Sequence, residues 1–583
     1  MAVIRSIFIQ NFRTIRHFKW DPEPGINCLI GSGDSGKSTV LEAIDACLTA
    51  RRSLTFSDTD FYQLNVDNPI DIRITLGKLP DHLKDIDVYG DYLRSFDPLL
   101  SCVNDEPAAG LEIVITTQLT VAADLEPIWR LYSDRMADPA NGRVLPFKDR
   151  AALAPARIGS HPSTNLSWTR GSVLNRLSDE RVEMGAELVA AARDARAAFG
   201  DKAGKQLAAT LAIVSATSKS LGVPVGNDVQ ALLDAQSVSF SNGALALHDG
   251  SGVPLRSLGT GSARLLLAGL HRAAASQAGI VLADEIEFGL EPHRLIRLLH
   301  SLGSKDEEPE LQVFMTTHSP AAVRELSASQ LHILRKRPDE HVVMSAGTVE
   351  DAHGAIRLYP EAMLARTVIV CEGASEVGLI RGLDFCFTST GVLSLQAAGA
   401  ALVDAKGGSP DKCLQRAVEF CKLGYRVIAF IDNDKTPTES ELQALHNNGG
   451  IIATWSIGMA LEDVLFQTMP AEGVEGLIDK AREFVGDAYM DENLRLSGAT
   501  GITIACIEAR RTDQGDYPVD HRTQLGKAAR LNTKKGSRGW FKTVGKMEDV
   551  ALNILGPHYK ACSVEFTVVI DRIFAHCHSD VGY

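Results

Sequence analysis

The sequence predicts an α/β protein made of two successive blocks of parallel sheet with helices on the faces. Three observations predict it. A glycine-rich octet, Gly31-Ser-Gly-Asp-Ser-Gly-Lys-Ser38, stands between an apolar run and a helical pattern. Helix and strand patterns then alternate over 261–327. A second alternation runs from 366 to about 468, with strands expected at 366–371, 425–431 and 451–455. Alternation of this kind marks parallel strands joined by crossover helices. A chain of 583 residues has room for about three to five domains, or fewer large ones.

The elements follow in order. Residues 3–9 and 26–30 read as strands, the second continuous in apolar residues, and a helix follows from Lys37 to Ala50. Strands are expected at 70–76 and 111–119, and the Pro-, Gly- and Ser-rich stretch 134–170 reads as loop. Residues 171–222 are Ala-rich with mixed charge and fit two helices broken near Gly200. They suit a solvated insert or a dimerisation arm, and sequence does not choose between them. Strand character returns at 236–248; then come helix 261–276, strand 279–283, helix 292–302, strand 311–316 and helix 320–327. The pattern weakens over 336–365, which suggests a boundary, and the last ~110 residues are less regular. No internal repeat is found.

Composition narrows the class. With 45% hydrophobic and 23% charged residues the chain is neither collagen-like, low-complexity nor wholly disordered. A net charge of −14 excludes a uniformly basic coat for bulk nucleic-acid binding but leaves room for a local basic groove. Ten cysteines without a CxxC pair read as reduced thiols, and His576-Cys577-His578 is too closely spaced for a usual zinc site. No apolar run reaches the ~18 residues of a membrane span, and Met1–Arg13 lacks the pattern of a signal peptide, so the expected location is cytoplasmic.

Gly31, Ser32, Gly33, Asp34, Ser35, Gly36, Lys37 and Ser38 match G-x-x-x-x-G-K-[ST] in full, with Thr39 completing the helix start. In such a loop backbone N–H groups wrap phosphate oxygens, Lys37 reaches the outer phosphates and Ser38 holds Mg²⁺. Ile280-Val-Leu-Ala-Asp-Glu285 is a buried strand ending in two carboxylates. Asp284 would bind Mg²⁺ through water and Glu285 would polarise the attacking water.

Three further segments resemble the ABC/SMC-like ATPases. Leu258-Gly259-Thr260-Gly261-Ser262 resembles their signature loop, Gly289-Leu-Glu-Pro292 their D-loop, and Thr316-Thr-His318-Ser319 their switch-histidine loop. Asn11-Phe-Arg13 resembles the start of RecF/SMC-type proteins. The resemblance implies a dimer that sandwiches ATP, with Gly259 and Gly261 capping the other subunit's nucleotide and His318 acting as switch. The family's signature serine falls on Gly259, so slow turnover is expected, with ATP serving mainly as a switch.

The second block carries another constellation. Glu372 ends an apolar strand and Glu376 follows in the first turn of a helix. Val427-Ile-Ala-Phe-Ile-Asp432-Asn-Asp434 ends a second strand, with its two aspartates on one side. Four carboxylates at neighbouring strand ends repel one another unless cations intervene, and hard oxygen ligands suit Mg²⁺ or Mn²⁺. The pattern resembles the Toprim domain, in which Glu372 would be ligand or base and Asp432 and Asp434 metal ligands. Glu462-Asp463 reads equally as a further metal-binding pair of the nuclease branch and as ordinary acids at a helix N-terminus. Residues 509–546 hold ten Lys and Arg (Arg510, Arg511, Arg522, Lys527, Arg530, Lys534, Lys535, Arg538, Lys542, Lys546) against three Asp, a net +7. That contrast suggests a phosphate-backbone surface. Trp540 and Phe541 suit base stacking or anchoring, the latter preferred.

An SMC-like ATPase followed by Toprim is the layout of the OLD (overcoming lysogenization defect) nuclease family, which includes the nuclease subunit of the Gabija anti-phage system. The resemblance implies an ABC/SMC-like head over 1–170 and 231–360, a helical dimerisation insert at 171–230, and a Rossmann-like Toprim domain over 361–583. It further implies an ATP-regulated, divalent-metal-dependent endonuclease for double-stranded DNA with Lys542 assisting catalysis. A homodimer or higher homo-oligomer is implied, with a helicase or another defence protein as partner. The competing reading is a structural, DNA-binding SMC-like ATPase whose Toprim domain does not cleave. A topoisomerase or primase is disfavoured, since Tyr425 and Tyr517 lie in no visible DNA-gate region.

Overall fold

The computed structural model describes residues 2–49, 54–136, 142–158, 254–273, 279–349, 352–509, 515–531 and 539–579, with isolated positions between 190 and 250. The helical insert at 171–230 and the strand expected at 236–248 therefore lie outside the described residues. By compactness the chain forms two units. The first comprises Met1–Cys28 and Ser38–Thr317, the second Leu29–Lys37 and His318–Tyr583. The sequence boundary at 360 follows motifs instead.

In the first unit, β1 (Val3–Phe12) and β2 (Ile15–Trp20) form an antiparallel hairpin; β3 (Ile26–Ile30), buried throughout, runs across the division after Cys28. Next come β4 (Ile70–Gly77), β5 (Leu93–Asp97), β6 (Cys102–Asn104), β7 (Glu112–Val121) and β8 (Pro127–Tyr132). These make an antiparallel array in the order β6-β5-β7-β4-β1-β2, with β8 also on β7. Strands β9 (Ala156–Arg157), β10 (Ile280–Ala283) and β11 (Gln312–Thr316) pair in parallel, in the order β11-β10-β9. Every residue of β10 and β11 is buried, as expected where a parallel strand is covered on both faces. Helices α1 (Lys37–Leu48), α2 (Thr260–Ala273) and α3 (Pro292–Ser301) start close to the predicted positions. The stretch expected as loop over 134–170 contains a helix, Phe147–Leu153, and β9. Pro146 at the N-cap and the apolar Leu153 and Ala156 explain why it orders.

The second unit opens after Thr317 with α4 (Pro320–Glu325). Where the sequence pattern weakens, the chain forms an antiparallel hairpin of β12 (Leu331–Lys336) and β13 (His341–Ser345). A four-stranded parallel sheet follows: β14 (Thr367–Cys371), β15 (Ala400–Asp404), β16 (Arg426–Ile431) and β17 (Ile451–Thr454), in the order β15-β14-β16-β17. The chain moves outward from β14 in both directions. The crevice beyond the C-terminal ends of β14 and β16 is thus a topological switch point, the usual ligand position in such sheets. Helices α5 (Ala374–Ser389), α6 (Pro410–Lys422) and α7 (Glu439–Asn447) connect the strands.

The C-terminal part is helical rather than irregular. It includes α8 (Leu461–Thr468), α9 (Val519–Ala529), α10 (Val544–Val550) and α11 (Val564–His578). One contiguous core joins it to the sheet through Phe430, Trp455, Phe466, Trp540 and Phe566. A Cβ at Gly378 would lie 2.5 Å from the Val544 carbonyl oxygen, and one at Gly382 2.5 Å from that of Glu548. Glycine at these two positions, one turn apart, lets α5 and α10 touch backbone to backbone. That crossing fixes the segment before α10, where Lys542 stands.

Candidate functional site

In the nucleotide loop Gly31 has φ +145° and Gly36 φ +90°, while Asp34 takes a left-handed φ of +58°. A Cβ at Gly31 would meet the Leu334 carbonyl oxygen at 2.7 Å, so only glycine fits. Lys37 turns its Nζ back over the loop and donates to Gly31 O (3.1 Å), Ser32 O (2.8 Å) and Ser35 Oγ (3.3 Å). Ser35 and Gly36 are buried, whereas Gly33 and Asp34 are exposed at the loop tip. The Thr39 hydroxyl lies 3.4 Å from that of Thr14 and helps seat α1.

In the first unit, Ser38 Oγ donates to Asp284 Oδ1 at 3.1 Å. The two residues expected to hold Mg²⁺ thus already face each other, and their oxygen donors fit a small hard cation. Two residues that sequence reasoning missed organise this point. Thr316, 1% exposed, donates to Asp284 Oδ1 at 2.5 Å and accepts the Glu285 N–H at 2.8 Å. Its position two residues before His318 was the available signal. Arg264, fully buried on α2, donates to the carbonyls of Asp284 (3.2 Å), Glu285 (3.1 Å) and Phe288 (2.8 Å). Burial lowers its pKa, and Glu287, Glu285 and Asp284 oppose that. Glu285 is exposed with φ +45°, a strained backbone for a non-glycine residue that these hydrogen bonds hold in place. Gly261 approaches the Gly289 carbonyl so closely that a Cβ would sit 2.7 Å away. Gly259 faces open space, so steric crowding does not account for the missing serine. His318 is exposed just after β11.

In the second unit, a cleft of about 1170 Å³ opens at the C-terminal ends of β14, β15 and β16. Glu372, Glu376, Asp404, Asp432, Asp434 and Glu462 line it, together with Lys406, Lys435, Lys527, Arg530 and Lys542. Glu372 and Asp432 are joined directly, since the Asp432 N–H donates to Glu372 Oε2 at 3.1 Å. Asp432 Oδ1 accepts the Leu461 N–H at 2.9 Å. Asp404 was missed, although Ala400-Ala-Leu-Val-Asp404 repeats the apolar run ending in an acid seen at Glu372 and Asp432.

The acids are held under charge stress. Burial, then the Glu462 charge, pushes Glu376 up to about 7. Burial followed by Glu376, Glu462 and Glu372 raises Asp432 well above the carboxylate range. Burial also raises Glu372, against the opposing hydrogen bond from Asp432, and raises Glu462 against Lys542.

As they stand, the described His, Cys, Asp and Glu residues form no cluster of three that could hold a metal ion. Two acids have other partners. Glu376 Oε2 accepts the Gly373 N–H at 2.8 Å. Asp463 accepts the Ala460 N–H at 3.1 Å and pairs with Arg530 at 2.8 Å. Asp463 therefore acts as a helix-capping acid and does not line the cleft. Glu462 does line it, and its Oε1 is buried with no hydrogen-bond partner among the described residues. Six carboxylates lining one cleft, one of them with a buried oxygen unpartnered among the described residues, fit a hard divalent cation.

The basic segment divides. Lys527, Arg530 and Lys542 reach the cleft. Arg522 does not: it is 7% exposed and donates to the carbonyls of Phe466 and Met469 at 2.9 and 2.6 Å. Lys546 lies 5.2 Å from the Phe484 ring. Arg510, Arg511, Lys534, Lys535 and Arg538 lie outside the described residues. Trp540 and Phe541 are fully buried and anchor the segment to the core. Among the described residues no helix is long and apolar enough to cross a membrane.

Comparison with known proteins bears on the first of these sites. Residues 3–122 match the family model "AAA ATPase domain", and residues 140–324 match "AAA domain, putative AbiEii toxin, Type IV TA system". The DNA replication and repair protein RecF of Chlorobium phaeovibrioides (strain DSM 265 / 1930) is 27% identical over 128 residues, 20% of this chain and 34% of that protein. The chain thus spans about a third of that relative's length. Among solved structures, an Smc head bound to the C-winged-helix domain of ScpA has a TM-score of 0.34 at 14% identity, covering 59% of this chain and 97% of that one. The SMC head domain from Thermotoga maritima has a TM-score of 0.28 at 11% identity, covering 59% and 98%. The nucleotide loop falls within the first matched segment and Asp284 within the second, so this chain carries an ATPase domain of the AAA type.

Proposed function

We propose that the second unit is a Toprim-type nuclease domain that cuts DNA with divalent cations under control of the ATPase, in the layout of the OLD family. One observation carries the reading: Glu372 and Asp432, at the switch point of a parallel sheet, share a hydrogen bond and line one cleft with four more acids and five cations. Mg²⁺ or Mn²⁺, when bound by Glu372, Asp432, Asp434 and Glu462, would supply an activated water and stabilise the leaving oxygen of a phosphodiester.

The chain's own groups account for the rest. The Asp432 N–H holds the Glu372 carboxylate in place beside it. Lys542, positioned by the α5–α10 crossing, offers a positive charge where negative charge grows on phosphate. Lys406, Lys435 and Lys527 give the same cleft a cationic wall for the phosphate backbone. The two kinds of charge belong together in a site that must hold both metal and polyanion. A head that pairs with a second copy over nucleotide follows from the resemblance of the 258–262 and 316–319 loops to those of ABC/SMC-like ATPases. A role in phage defence rests on the family resemblance alone.

The test is nicking of supercoiled plasmid by purified protein with Mg²⁺ or Mn²⁺, with and without ATP. Glu372→Ala is expected to abolish nicking, and Lys37→Ala to change its nucleotide dependence. DNA binding with no cleavage under any of these conditions would support the structural-ATPase reading instead.

A further inference from the structure

Arg530 stands at the C-terminal end of α9, and its Nη1 lies 2.8 Å from Asp463 Oδ2 but 3.8 Å from Asp434 Oδ2. Both are ion pairs without hydrogen-bond geometry at Nη1, and they differ in length and burial. The Asp463 side chain is only 8% exposed, and the same oxygen accepts the Ala460 N–H. The Asp434 side chain is 31% exposed and touches the guanidinium beyond hydrogen-bonding distance. Next to Asp463, Glu462 is 1% exposed and aims an unpartnered Oε1 at the cleft it lines. The cleft thus has a built-in cation over Asp434, while Glu462 Oε1 has no hydrogen-bond partner among the described residues. An unpaired buried carboxylate oxygen is costly, so this arrangement favours a further cation.

We infer that Arg530 is a resident counter-cation that competes with a divalent ion for Asp434 and so sets the metal affinity of the cleft. The inference rests on the cleft being a metal site. The planar guanidinium fork reaches both carboxylates, so it neutralises part of Asp434 while it stays in place. It is also tethered, because the shorter contact to the capped Asp463 persists when the longer one opens. The residue therefore yields Asp434 without leaving the cleft, and its positive charge opposes every divalent ion that enters.

The experiment is titration of the full-length, nucleotide-free protein with Mn²⁺ alone, reading free Mn²⁺ by its electron paramagnetic resonance signal. Removing one unit charge about 5 Å from a divalent ion corresponds to roughly tenfold or more in affinity even when screened by the dielectric of water. Arg530→Gln is expected to bind Mn²⁺ tighter by about that factor. Arg530→Lys, which keeps the charge but touches one acid at a time, is expected to bind roughly threefold tighter and serves where Gln fails to fold. Glu372→Ala reports whether the bound ion is in the cleft. Mn²⁺ binding that Glu372→Ala removes, but that both Arg530 variants leave unchanged or weaken, overturns the inference alone. If Glu372→Ala leaves Mn²⁺ binding untouched, the cleft reading falls and the inference falls with it.

Discussion

Gly31 and Gly33 are two residues apart in one loop, and the structure predicts opposite consequences for giving each a side chain. At Gly31 the backbone sits at φ +145° and a Cβ would lie 2.7 Å from the Leu334 carbonyl oxygen. That backbone region costs a non-glycine residue about 1–3 kcal/mol. Crowding against a fixed backbone atom adds about 1–3 kcal/mol. Gly31→Ala should therefore destabilise by roughly 2–6 kcal/mol in sum. At Gly33 a Cβ meets nothing within 4 Å and φ lies outside the positive range. Gly33→Ala should be within about 0.5 kcal/mol of wild type. Urea unfolding reads the difference, followed by the fluorescence of Trp455 and Trp540, which are buried in the same unit as the loop. At an m-value of about 3 kcal/mol per molar, the Gly31→Ala midpoint should fall by roughly 1–2 M. Equal midpoints for the two variants would refute the geometry on which the nucleotide loop has been argued.

Lys37→Ala removes an ammonium that bonds the loop's own oxygens and should lower ATP hydrolysis about 100-fold or more in a phosphate-release assay. Glu372→Gln should abolish plasmid nicking while leaving ATP hydrolysis within twofold of wild type; retained nicking would remove Glu372 from the chemistry. Gly378→Ala, driving a Cβ to 2.5 Å from the Val544 carbonyl, should cost about 1–3 kcal/mol in urea and lower nicking through displacement of Lys542. Burial holds His332 and His341 neutral, with pKa values lowered to about 4 against 6.5 in the unfolded chain. The unfolded chain thus takes up protons first, so the contribution is intact above 6.5 and is lost as pH falls towards 4. At pH 5 each histidine should subtract about 2 kcal/mol, and His341→Gln should flatten that loss in denaturation curves at pH 7.5 and 5.

What the sequence made legible were the features written in consecutive residues. The nucleotide octet, the β10 run into Asp284 and the β14 and β16 runs into Glu372 and Asp432 each pair an apolar strand with chemistry at its end. β15 carries the same pattern in five residues, two of them alanine, and its weak β-propensity hid both the strand and Asp404. The β12–β13 hairpin was obscured by charged residues at its tip, Lys336 to His341, whose effect on the pattern outweighed the buried Leu331, Ile333 and Leu334. Groups whose role depends on distant partners left little local trace. Arg264 looks like any cation on an amphipathic helix until its three carbonyl partners are seen. Glu462 and Asp463 are adjacent and chemically alike, yet one lines the cleft and the other caps its helix. Only the register of α8 against α9 separates them.

Glu372 is knitted into its surroundings by more than its carboxylate. Its N–H donates to the Phe430 carbonyl, its own carbonyl accepts from Gly407, and its Oε2 accepts from Asp432. This has a consequence for descent. A lineage released from the proposed chemistry would still be selected to keep a hydrogen-bond acceptor of this size at 372, because the strand ends and the 405–408 loop close around it. Among the described residues Asp434 has no such hydrogen bond, only its loose pairing with Arg530. Across a set of diverged copies, Glu372 or Gln at 372 would record upkeep of the architecture. The persistence or erosion of Asp434 would record whether the chemistry itself was still under selection.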